Sequence, residues 1–250
     1  MSDHAGPPQV GAINSMERAQ SANTRIRGIS SMATRQVLAE LAGAFRARSG
    51  IDVAFESVGG VDAARHVQAG ESYDLAVLDA DALDRLAATG RVVADSQAAL
   101  VRSGVAIAVR AGAPRPDVSS EEALQRAVLS ARTLGHSTGP SGTALLRLFE
   151  RWGLLDELRP RIVQAPPGVP VGKLVADGQV GLGFQQASEM MNVPGIDVLG
   201  PMPPGCQIVS IFSAGLCAAS TQPGAVRALI DFMHSPAADE AKRRHGMEPA

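Results

Sequence analysis

Apolar positions along this chain switch between two periods, and the switching divides it into short strands and amphipathic helices. Val37, Leu38, Leu41 and Phe45 recur at the spacing of one helix face, which predicts a helix over residues 34–48 closed by Gly50. Residues 26–29 before it read as a short strand. Residues 52–57 alternate as a strand into Gly59-Gly60, and a helix follows from about Asp62 to Gly70. The apolar run 74–78 is a buried-type strand, and Asp79-Ala80-Asp81 opens a helix ending near Gly90. This rhythm predicts a mainly parallel sheet covered by helices.

The second half repeats the alternation without a fixed period. Residues 104–110 form a long strand leaving the first unit, and Ser119-Ser120-Glu121-Glu122 has the form of a helix start. The turn 136–143 leads into a helix through Trp152, with Gly153 after it. Strands follow at 162–164 and 180–184, separated by a helix over 171–177. Residues 208–212 and 216–219 are a strand pair or one long interrupted strand, and helices over 224–233 and 236–245 close the chain. The late return of a strand and two helices after an α/β block predicts two passages between lobes. The expected division is an N-terminal extension at 1–23, a first lobe of 24–105 plus 205–250, and a second lobe of 106–204.

Composition narrows the function. A chain of 250 residues with 45% apolar and 19% charged positions can bury a full core. A net charge of −2 and 3% aromatic residues argue against nucleic acid as a partner. No stretch approaches the roughly 18 apolar residues of a membrane helix. Residues 1–23 lack both the positive start and the apolar core of a secretory signal, so a disordered extension and a cytoplasmic location are expected, with Met16 an alternative start. Cys206 and Cys217 have no metal-type spacing and read as reduced core residues.

The most informative segment is His136-Ser137-Thr138-Gly139-Pro140-Ser141-Gly142-Thr143, a hydroxyl-rich turn opening an amphipathic helix. The first turn of a helix carries unpaired N–H groups and the positive end of the dipole, so it suits an anion. A second such junction lies about one hundred residues earlier, where residues 25–29 lead into Ser30-Ser31-Met32-Ala33-Thr34. Either junction alone reads as an ordinary N-cap. Together they point to a cleft that offers donors to one small anionic ligand.

Several segments, in order, resemble the bacterial periplasmic solute-binding proteins, and most closely their molybdate-binding branch. They are Ile29-Ser30-Ser31, Val58-Gly59-Gly60, Tyr73-Asp74-Leu75-Ala76-Val77-Leu78 and Gly139-Pro140-Ser141-Gly142. Gly153-Leu154-Leu155-Asp156-Glu157-Leu158, Gly181-Leu182-Gly183-Phe184 and the stretch 229–238 continue the series. The likeness covers residues 24–248 and implies a periplasmic-binding-protein-like α/β fold: two lobes, each a mainly parallel sheet flanked by helices, hinged by two crossing strands. It also implies a pocket. Ser30 and Ser31 stand at the first contact, Gly59 or Gly60 at the second where a Ser is usual, and Ser141 with Gly142 at the third. Val169 falls near the fourth, and Phe184 replaces the Tyr that commonly completes the site, followed by Gln185 and Gln186. The lost hydroxyls weigh against molybdate or tungstate and favour an organic anion.

From the residues themselves, Ser137 and Thr138 add hydroxyls, and Arg35 and Arg65 are placed to reach a carboxylate. Lys173 follows the proline-rich loop 166–170 and is expected at the surface. No Gly-x-Ser-x-Gly elbow, His-Glu-x-x-His, Cys-x-x-Cys or phosphate-loop pattern is present, so neither a metal nor a cofactor is expected. His136 is the candidate for proton transfer, with His66, Glu56 and Asp79 behind it. Two readings stay open. One is a binder of a small carboxylate or oxyanion, with a transporter as a conceivable partner. The other is a cofactor-free isomerase of a small di- or tricarboxylate, of the kind the aconitate isomerases of this fold represent.

Overall fold

The computed structural model describes residues 25–250, so the expected N-terminal extension and the alternative start at Met16 lie outside the described residues. The first lobe opens with β1 (Arg25–Ser31), α1 (Arg35–Ser49), β2 (Asp52–Val58), α2 (Gly60–Gln68), β3 (Leu75–Asp79) and α3 (Ala80–Ala88). Next come β4 (Ala98–Arg110), α4 (Glu121–Ser130), β5 (Leu134–His136) and α5 (Pro140–Arg151). They are followed by α6 (Leu155–Leu158), β6 (Ile162–Gln164), α7 (Val171–Ala176), β7 (Leu182–Gln186), α8 (Ala187–Met190) and β8 (Ile196–Pro201). The chain closes with β9 (Val209–Leu216), α9 (Pro223–His234), α10 (Asp239–Arg244) and β10 (Glu248–Pro249).

Local chemistry explains the element ends. The face predicted for α1 is the one buried, with Val37, Leu38, Leu41 and Phe45 inside. The helix stops where Gly50 adopts φ 74°, a left-handed conformation that glycine takes without steric cost. Ser120 caps α4 by accepting from the Ala123 N–H at 3.1 Å.

The lobes are mixed sheets rather than mainly parallel ones. β1 pairs parallel with β2 and β3, and β5 pairs parallel with β6 and β7. Towards the middle of the molecule the direction reverses: β9 runs antiparallel to both β3 and β4, and β4 runs antiparallel to β7 and β8. The reversal follows from β4, a 13-residue strand whose first half pairs with β9 and whose second half pairs with β7 and β8. It is one of the passages between lobes. The return lies alongside it, where Met202 N–H donates to the Val105 carbonyl at 3.1 Å and Val105 N–H to that of Ile208 at 2.9 Å, and it leads into β9. Apolar side chains segregate accordingly. One core gathers Ile26, Leu38, Leu75, Phe212, Leu229 and Met233, another Ile107, Leu124, Leu145, Phe149 and Phe184. Cys206 and Cys217 are free and buried, and burial pushes the Cys217 thiol up to about 12. Among the described residues no helix is long and apolar enough to cross a membrane.

Candidate functional site

The ends of β1, β2, β3, β5 and β7 and the helix starts that follow them meet over one cavity of about 190 Å³ between the lobes. The first lobe contributes Ser31, Gly59, Gly60, Asp79 and Arg85, with Ser210 and Phe212 from β9. The second lobe contributes Ser137, Thr138, Gly139 and Ser141, the loop from Ala165 to Pro170, and Gln185, Gln186 and Glu189. Ligands in open α/β sheets bind at the carboxyl ends of strands for this reason: the helix N-termini gather there.

Two of those helix starts are opened by glycine. Gly59 precedes α2 and Gly139 precedes α5, and neither has a side chain to accept from the first turn. In α5, Pro140 has no N–H and Gly142 N–H donates to the Gly139 carbonyl at 3.0 Å, which leaves the Ser141 N–H for a ligand. Across the cleft from α5, Ser31 ends β1 in extended backbone, its Oγ accepting from Ala33 N–H at 3.4 Å. Ser137 and Ser141 share a hydroxyl–hydroxyl hydrogen bond of 3.3 Å at the mouth of α5. Gly142 is required just behind them, because a Cβ there would lie 2.0 Å from the Ser137 carbonyl oxygen and 2.6 Å from His136 Nδ1.

A carboxyl–amide pair forms the floor. Gln185 Oε1 accepts from Val171 N–H at 2.7 Å and Gly172 N–H at 3.4 Å, which fixes the amide so that its Nε2 donates to Glu189 Oε2 at 2.6 Å. Burial pushes the Glu189 carboxyl up to about 7, against the Gln185 hydrogen bond and the charge of Arg35, which pull it down. Asp79 is raised as well by burial, opposed by the Asp81 N–H that its carboxylate caps. Gln186 sits at the crossing strands, its amide nitrogen 2.9 Å from Ser103 Oγ and its oxygen accepting from Ser210 Oγ at 3.0 Å.

Of the residues singled out in the sequence, Ser31, Gly60, Ser137, Thr138, Ser141, Val169 and Gln185 line the cavity together, with Gly142 directly behind them. Others are placed elsewhere. Ser30 is fully buried and ties β1 to β2 through Ser57 Oγ at 2.8 Å. Arg35 is exposed and lines a separate groove with Arg46 and Asp52. Arg65 is 74% exposed and paired with Asp62 of its own helix. Phe184 points the other way from Gln185, as successive strand residues must, and packs edge-on against Phe149 at 6.2 Å in the second lobe's core.

His136 faces away from the cleft too. Its Nδ1–H donates to the Ser137 carbonyl at 2.8 Å, burial pushes its pKa down, and it lines a neighbouring cavity with Thr143, Arg159 and Gln164. The proton-transfer role drawn for it from the sequence finds no support in this placement. His66 pairs with Glu71 at the surface, Glu56 accepts from the Tyr73 hydroxyl at 2.8 Å, and Lys173 pairs with Asp177 at 2.8 Å. Asp79 alone of the proposed bases lines the cavity. Glu189, Arg85 and Ser210 were not anticipated. The one available signal for Glu189 was two glutamines closing an apolar strand with a glutamate four residues after the first. Among the described residues no group of three or more His, Cys, Asp or Glu is placed to hold a metal ion.

Comparison with known proteins places this architecture. An aconitate isomerase from a Pseudomonas species is 37% identical over 179 residues, 72% of this chain and 68% of that protein. The periplasmic molybdate-binding protein of Azotobacter vinelandii superposes with a TM-score of 0.74 at 19% identity, covering 89% of this chain and 98% of that one. The sulfate-binding protein of Mycobacterium tuberculosis gives 0.74 at 18%, covering 91% and 88%. At those identities the two structures show the shared two-lobed fold. The family model for bacterial extracellular solute-binding proteins matches residues 26–248, nearly the whole described chain, and the chain belongs to that family.

Proposed function

We propose that the cleft captures a small organic anion, a carboxylate in particular. The observation that carries this is the convergence of two glycine-started helix N-termini, α2 and α5, on one cavity that also holds the Ser31, Ser137, Thr138 and Ser141 hydroxyls. First-turn N–H groups and hydroxyls are donors, and donors aimed at one point favour an anion. The cavity's size and walls favour an organic one. About 190 Å³ is roughly the volume of six water molecules, and Ala33, Val61, Ala82, Pro166 and Phe212 line it with apolar surface. The names of the sulfate- and molybdate-binding neighbours support anion capture, and that of the 37% identical relative supports a carboxylate.

The test is a thermal-shift panel of di- and tricarboxylates, sulfate, phosphate, molybdate and tungstate, followed by calorimetry. A carboxylate raises the melting temperature, whereas Ser31→Ala and Ser141→Ala each weaken binding by about 1–2 kcal/mol, the worth of a hydrogen bond to a charged group. Stabilisation by a tetrahedral oxyanion alone, or wild-type affinity in both variants, refutes the assignment. A second reading, isomerisation of the captured carboxylate, is favoured by the aconitate isomerase relative together with a carboxyl group in the cavity floor.

A further inference from the structure

Glu189 is the group in this cleft with an unassigned task. It is not a cap or part of an ion pair, and among the described residues no hydrogen bond reaches its Oε1. Its other oxygen is held by Gln185, whose own carbonyl accepts from two backbone N–H groups of α7, so Oε2 is anchored through a chain of hydrogen bonds. The side chain lines the same cavity as the convergent donors. We propose that Glu189 is the catalytic base of a cofactor-independent proton shift, moving a carbon–carbon double bond in an unsaturated polycarboxylate held in this cleft. The proposal rests on the organic-anion reading above.

The step balances without any further reagent. Glu189 carboxylate takes a proton from the CH₂ beside one substrate carboxylate, and the C–H electron pair becomes the new double bond. The old double-bond pair moves to its far carbon, which takes the proton back from neutral Glu189. Negative charge passing through the dienolate falls on a substrate carboxylate oxygen, where the α5 N-terminus, Ser141 and Ser137 supply donors. A base that must also return its proton works best when it titrates near the working pH, and burial sets Glu189 at about 7. The charged groups around it are Arg35 on α1 and, across the cavity, Asp79 and Arg85. Asp79 is occupied as the cap of α3 through the Asp81 N–H.

Proton NMR of cis- and trans-aconitate in heavy water, with wild type, Glu189→Gln and Glu189→Asp, tests this alongside calorimetry on the same ligands. The expected result is deuterium incorporation and interconversion by wild type, at a rate that rises with pH through about 7. Glu189→Gln keeps binding within a few-fold and loses at least 100-fold in exchange, and Glu189→Asp retains a fraction. Wild type that binds aconitate with neither exchange nor interconversion of the isomers overturns the proton shift and leaves the binding reading standing. Exchange at the wild-type rate in Glu189→Gln removes Glu189 from the step. Absence of carboxylate binding by wild type overturns the organic-anion reading, and the proposal with it. Should Glu189→Gln fail to fold, the wild-type exchange profile decides: a limb near pH 7 supports the assignment, and a flat profile between pH 5 and 9 overturns it.

Discussion

A carboxyl group raised to about 7 by burial costs the folded protein stability, and Glu189 is such a group. An acid whose pKa is higher in the folded than in the unfolded chain holds its proton more tightly when folded. Its contribution is therefore most favourable below the ordinary value of 4.5 and is lost as the pH rises through 7. The shift between those values corresponds to about 3 kcal/mol by linkage. Glu189→Gln cannot ionise, so the variant melts with wild type at pH 4 and above it at pH 8, by about 2–3 kcal/mol. Melting curves across that range check the sign. A glutamine variant less stable than wild type at pH 8 means that the ionised carboxylate is favourable in the fold, and the burial argument fails. Retaining an acid that weakens the fold is the usual mark of a group kept for what it does to a ligand.

At the scale of elements, the turn between β5 and α5 is the least replaceable piece. Gly142 allows the first turn of α5 to lie against the backbone of Ser137, and the added methyl of Gly142→Ala would overlap a carbonyl oxygen that cannot swing aside. The expected loss is about 3 kcal/mol of stability, with ligand affinity falling further because the Ser137 and Ser141 hydroxyls move; denaturant melts and calorimetry measure the two effects separately. This turn was legible in the sequence, since glycine, proline and hydroxyl residues before an apolar-periodic run have few other uses. So were α1, with its four apolar positions and Gly50, and β6 to the residue. What escaped was set by tertiary pairing. Residues 98–103 of β4, the short β5 and β8, and the antiparallel direction at the middle of the molecule depend on partners from distant segments. Local period carries no record of that. The same limit governed the site. Arg35, Arg65 and His136 were chosen by sequence distance from a junction, whereas none of the three lines the cavity: Arg65 pairs with Asp62, His136 lines a neighbouring cavity, and Arg35 lies on an outer groove from which its charge alone reaches Glu189. Glu189 was missed because it stands on a four-residue helix with no period of its own.

For the whole molecule, the question is what holds the lobes around a ligand. Two contacts join α8 and its following turn in the second lobe to the turn before α1 and to the first turn of α1 in the first. Ser188 Oγ donates to the Ala33 carbonyl at 2.9 Å, buried, and Asn192 Nδ2 donates to Gln36 Oε1 at 2.9 Å, exposed. The buried one dominates, because an unsatisfied carbonyl shielded from water costs about 1–3 kcal/mol, whereas the exposed amides exchange freely with solvent. Ala33 lies two residues past Ser31 and Ser188 immediately before Glu189, so closing the lobes through this bond brings the first-lobe donors to the cavity floor. Ser188→Ala removes this bond between the lobes, and affinity reports how far the bond favours the arrangement that brings the lobes together. The expected result is a 5- to 10-fold weaker complex, equivalent to about 1–1.4 kcal/mol, seen in the dissociation rate with the association rate unchanged. Stopped-flow binding separates the two rates. An equal fall in association would show that the ligand meets lobes already closed, and that the bond shapes the entry state instead of retaining what has entered.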